Sequence, residues 1–198
     1  MTGRIHHRPM TPGDGFFDEI IGGADPAQVR EAGDLAATIL VRGARDSDDP
    51  ELAERIVHLA ESEGLETLAE VWSGAPSDTL AGSLWRLFLL RSWVYAAPEQ
   101  VASEYDAGHR RVDVARVVAG VADPPGPDEL RHMVDDVLRG IARGDFAVTL
   151  FRAAAFARIV AAGRASLGAA THEEISRMLV LSEQLEAAGQ VEIAHSLG

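Results

Sequence analysis

Two stretches of this chain are apolar on nearly every side of a helix, and they constrain the fold more than any other feature. Residues 80–95 carry Leu80, Leu84, Trp85, Leu87, Phe88, Leu89, Leu90, Trp93, Val94 and Tyr95. Residues 146–160 carry Phe146, Val148, Leu150, Phe151, Phe156, Ile159 and Val160, with alanines between them. A helix with so little polar surface needs neighbours on most sides. The pattern therefore predicts an all-α fold, a compact multi-helix bundle. Its two central apolar helices, at about 77–96 and 145–162, are packed among amphipathic ones in largely antiparallel order.

The remaining elements follow from their end signals. Asp25-Pro26 and Asp49-Pro50 each set an N-cap before a proline, opening helices that glycine closes at Gly43 and Gly64. A short helix over 65–72 precedes the Gly74-Ala75-Pro76 break, and Ser77 or Asp78 caps the first central helix. Pro98 opens a helix ending near Gly108, with a continuation through Val112, Val114, Val117 and Val118. Asp123-Pro124-Pro125-Gly126-Pro127 cannot be helical and forms a hinge, from which Pro127 starts a helix through Ile141. Asp145 caps the second central helix, whose end is expected at Gly163. Thr171 with Glu174 makes a capping box for a last helix, expected to end at Gly189. These signals give about eight helices in a single domain over 25–198. A flexible arm precedes it at 1–24, where Phe16, Phe17, Ile20 and Ile21 are its means of docking.

Composition narrows the chemistry. The chain has no cysteine, which removes thiolate nucleophiles, disulfides and thiol-held metal sites. It has no lysine and lacks a glycine-rich phosphate loop of the Gly-x-x-x-x-Gly-Lys type. Its net charge is −13, and residues 1–75 hold 15 acids against 6 arginines, a balance that repels a phosphate backbone. The five arginines between Arg139 and Arg164 are spread over two helices and around their circumference, so they form no DNA-reading stripe. No signal-peptide pattern and no uncharged apolar run of membrane-spanning length is present, so the expected location is the cytoplasm.

Candidate sites are few. Glu129 with His132, and Glu192 with His195, have the Glu-x-x-His spacing that puts two metal ligands on one helix face. A working site also needs two lone glutamates on facing helices, and the second pair lies beyond Gly189 near the C-terminus, so both pairs are read as solvated polar faces and neither metal nor cofactor is expected. Glu54, His58 and Glu61 share another face, a pattern that suits a surface ion pair. Arg86, Arg91, Arg152 and Arg158 lie in the two central helices, where a buried guanidinium must be paired. Within each helix the two arginines stand roughly 140° and 120° apart, so four cannot converge. Acids such as Asp106, Asp113, Asp135 or Asp136 would pair them. One arginine from each helix could instead form an anion site, with Trp72, Trp85, Trp93, Tyr95 or Tyr105 as pocket walls.

Residues 82–94 (Gly-Ser-Leu-Trp-Arg-Leu-Phe-Leu-Leu-Arg-Ser-Trp-Val), with 119–127 and 144–163, resemble a group of uncharacterised helical proteins from actinobacteria. The resemblance covers about half the chain. It implies a helical fold and transfers no activity, cofactor or site residue.

The leading functional expectation is a non-enzymatic interaction or scaffold protein that presents helix faces to another protein or to a second copy of itself. A homodimer is expected because three tryptophans within 72–93 concentrate more apolar surface than narrow-striped neighbours can cover. The competing reading is a small-molecule pocket for an anion, binding or enzymatic, between the central helices. A DNA-binding regulator ranks third, against the charge.

Overall fold

Side chains that satisfy helix ends fix where the main elements begin. Thr79 Oγ1 accepts from the Gly82 N–H at 3.0 Å, so the first central helix is capped by Thr79 and not by the expected Ser77 or Asp78. Asp145 Oδ1 accepts from the Ala147 N–H at 2.9 Å. Thr171 and Glu174 bond reciprocally, with Thr171 N–H to Glu174 Oε2 at 2.8 Å and Glu174 N–H to Thr171 Oγ1 at 3.3 Å.

The structure is a computed structural model describing residues 26–42, 65–111, 125–138, 145–195 and 197. Among them run α1 (Pro26–Arg42), α2 (Leu65–Trp72), α3 (Leu80–Ala96), α4 (Pro98–His109), α5 (Pro127–Leu138), α6 (Phe146–Leu167) and α7 (His172–His195). The described residues contain seven helices and no strand, so the fold is an all-α bundle with close to the expected number of elements. The expected arm at 1–24, the helix over 50–64, the continuation beyond 111 and residues 139–143 lie outside the described residues.

Two helix ends differ from expectation, for one physical reason. The second central helix passes through Gly163 and stops at Leu167, where Gly168 takes the left-handed conformation (φ 62°) that suits a C-cap. The last helix passes through Gly189 and continues to His195. These glycines are contact points, not stops. A Cβ on Gly163 would stand 1.7 Å from the Glu104 carbonyl oxygen, and one on Gly108 would stand 1.9 Å from that of Ile159. Helices α4 and α6 therefore meet backbone to backbone. Gly189 makes room in the same way for the Phe151 ring, 2.9 Å from where its Cβ would sit.

Helix α6 lies between α4 and α7, its two broadest contacts, and Ala153, Ala154, Ala155, Phe156, Ala157, Ile159 and Val160 are fully enclosed. Its length and composition would allow it to cross a membrane, yet 78% of its most apolar stretch is already buried by protein. Helix α3 is the core helix of the other side, packed on α1, α5 and α2, and it touches α6 only narrowly. Trp72 is fully buried and ties α2 to α1 by donating from Nε1 to the Gly33 carbonyl at 3.0 Å. Arg42 closes α1 onto the far end of α7. It grips the Glu192 carboxylate with both Nη atoms and donates to the Leu197 carbonyl at 3.1 Å, while the Leu197 N–H donates to Glu192 Oε2 at 2.8 Å.

Candidate functional site

Arginines sort the site. Arg91 pairs with Asp135, one of the acids expected from the sequence, and Tyr95 donates to the same carboxylate at 2.8 Å. Asp135 is buried, and the Arg91 guanidinium also stacks 4.5 Å from the Tyr95 ring centre. Arg152 pairs with Glu129, and Arg158 with Glu186 at 2.8 Å. Arg164 reaches Glu104 at 2.8 Å, a carboxylate only 1% exposed, and covers the Trp93 ring at 4.5 Å. Sequence reasoning missed Glu104, which sits in a polar helix, although its side chain also accepts from Gln100 one turn away at 2.8 Å.

Arg86 is the exception. Its Nε donates to Gln184 Oε1 at 2.7 Å, and its Nη1 donates to the carbonyls of Gly82 at 2.8 Å and Ala75 at 3.5 Å. All three acceptors are neutral. Among the described residues no carboxylate lies within salt-bridge distance of it, unlike the other arginines of α3 and α6. Burial lowers its pKa below the ordinary arginine value, and the nearby charge of Asp78 only partly opposes this.

Arg86 borders a groove of about 410 Å³ between α3 and α7. Trp85 and Leu89 form one wall, and Val180 and Leu181 the other, with Glu173, Arg177 and Gln184 along the rim. Leu89 and Val180 are 42% and 48% exposed, so the apolar surface is open to solvent. Trp85 lies along the groove and stacks on Phe88 at 5.8 Å, while part of it packs against the core. Leu179-Val180-Leu181 also spreads apolar residues over more of α7 than its packed face uses. That three-residue run was the available sequence signal for α7 as a wall. Of the residues expected to form a ligand pocket, the structure brings Arg86 and Trp85 to this groove. Arg91, Trp93, Arg152 and Arg158 are placed elsewhere, in ion pairs or under them.

Both glutamates of the metal candidates are engaged by arginines. Glu129 holds Arg152, and His132 is exposed with Nδ1 2.9 Å from the backbone carbonyl of Asp128 in its own helix. Glu192 holds Arg42. No group of three or more His, Asp or Glu side chains suited to a metal ion occurs among the described residues, and Glu54, His58 and Glu61 lie outside them. No family model, no curated protein and no solved structure matches the chain.

Proposed function

We propose that this is a non-enzymatic interaction protein that takes up the apolar face of a helix from another polypeptide in the α3–α7 groove. The observation that carries the reading is the open apolar trough itself, lined by Trp85, Leu89, Val180 and Leu181 beside an otherwise packed core. Along α7 its lining runs from Glu173 to Gln184. At 1.5 Å per residue that is about 16 Å, or three turns, a length suited to an amphipathic helix with anchors at i, i+3, i+4 and i+7. The buried acids Glu104 and Asp135 are each engaged by arginine, which favours scaffolding over proton transfer as their role. We place the interaction in the cytoplasm, the setting that suits a cysteine-free chain.

A labelled helical peptide with a leucine stripe tests this by fluorescence polarisation. It should bind the full-length protein and lose binding to Leu89→Glu and Val180→Glu. Binding that survives both substitutions would place the docking surface elsewhere. A second copy of the chain is one candidate occupant, and the proposed homodimer would use this face. A sedimentation mass constant near 21.1 kDa as concentration rises would remove that occupant.

One observation favours a second reading, a small anionic ligand. Arg86 has only neutral partners among the described residues, and the groove falls within the roughly 300–1,000 Å³ common for small-molecule sites. A thermal-shift screen of metabolites, with reproducible stabilisation of several degrees by one anion, would favour it.

A further inference from the structure

We infer that Arg86 sets the groove's selectivity by taking a carboxylate from the docked helix, so that the partner carries an Asp or Glu within one turn of its apolar anchors. The inference rests on the helix-docking reading above and names the partner's chemistry. Three observations lead to it. Arg86 stands on the groove wall between Trp85 and Leu89, with its Nε and Nη1 held by Gln184, Gly82 and Ala75. Those bonds fix the plane of the guanidinium without neutralising it, and no described residue accepts from Nη2. A planar, oriented, half-buried guanidinium is the geometry that recognises carboxylates.

The second observation is the contrast with its neighbours. Arg91, Arg152, Arg158 and Arg164, the other arginines of α3 and α6, each have a carboxylate of this chain within 4.0 Å. A chain with 31 acids and 18 basic residues has no shortage of partners, yet among the described residues no acid lies within 4.0 Å of Arg86, and Asp78 acts on it only from farther off. The third is local charge. On the groove's rim Arg177 is matched by Glu173 at 3.3 Å, which leaves Arg86 as the excess positive charge of the lining in a protein of net charge −13. Docking would remove water from Arg86. A helix without an acid there would bury a charge that Asp78 offsets only in part, whereas one with an acid would gain a charge-assisted hydrogen bond. The same group would thus reward one class of partner and penalise the other.

The test uses two labelled helical peptides with the same leucine stripe, differing in a single Glu or Gln one turn from it. The full-length protein should bind the Glu peptide about tenfold more tightly, the factor expected of one charge-assisted hydrogen bond. Arg86→Met should bring the two peptides to equal affinity, and Arg86→Lys should restore part of the preference. Circular dichroism of each variant checks that the bonds lost to Gly82 and Gln184 have not cost the fold. Equal affinity of both peptides for the unaltered protein would overturn the role of Arg86 while leaving the groove as a docking surface. Failure of both to bind up to millimolar concentration would remove the groove reading itself. Decanoate is the small-molecule arm. If it displaced the Glu peptide and bound more tightly in an Arg86-dependent way, the carboxylate would come from a small molecule and the helix-partner inference would fall.

Discussion

Helices α3 and α6 are both apolar nearly all round, yet they meet their surroundings in opposite ways. Helix α6 carries alanines and Gly163, so α4 approaches until backbones touch and α7 lies along the other side. Helix α3 carries bulkier residues, of which Leu87, Phe88 and Leu90 are buried while Trp85 and Leu89 border the groove, Leu89 42% exposed. Glycine and alanine let α4 come to backbone contact with α6, whereas on α3 the bulky Trp85 and Leu89 border a groove open to solvent. Apolar character alone does not decide burial. The size of the residues decides how near the next helix can come.

That contrast can be broken most severely at the α4–α6 contact. Gly163→Val would drive a side chain into the Glu104 carbonyl, and neither backbone can yield without opening the interface. Urea denaturation should show a loss of about 3 kcal/mol or more. Close behind comes Glu104→Gln, which leaves the Arg164 guanidinium, itself mostly buried, without its counter-charge at the same contact. The expected cost is about 3 kcal/mol, and removing both charges in Glu104→Gln with Arg164→Met should recover part of it.

A smaller effect depends on pH. The hydrogen bond from Arg42, helped by the Leu197 N–H, holds the Glu192 carboxyl below the usual range, against the opposing influence of burial. A carboxylate depressed in the folded state contributes stability that is present above its unfolded value, about pH 4.3, and is lost as pH falls through the folded value. The melting temperature should therefore fall from about pH 5 towards pH 3 more steeply in the unaltered protein than in Glu192→Gln. Equal slopes would show that the clasp contributes no linkage. The smallest change in stability is expected on the open side of α3. Leu89→Ser should alter unfolding by less than about 0.5 kcal/mol while removing peptide binding. A loss like that of a core leucine would mean that the groove is covered in solution.

The sequence displayed the two core helices because their apolar periodicity is strong, and it displayed the caps at Asp145 and Thr171 because capping is local chemistry. It misled at Gly163 and Gly189. Glycine serves both as a helix stop and as a place for another chain to come close, and only the second partner, Glu104 or Phe151, tells the two apart. Among the arginines, helical angles ruled out a four-fold cluster, and Asp135 was identifiable as a partner. That Arg86 meets only neutral acceptors depends on how α7 crosses α3, a tertiary relation that no spacing within one helix records.

The clasp from Arg42 to Glu192 joins residues 150 positions apart, which makes it a matter of time as well as of space. A ribosome adding about 5–20 residues each second needs on the order of ten seconds to pass from one to the other. Through that interval the end of α1 has its arginine ready and its acid not yet made. The α6–α7 pair, close in sequence, can assemble as soon as it emerges. The clasp is thus a late, long-range contact, because Arg42 gains this partner only once Glu192 has been made 150 positions further on.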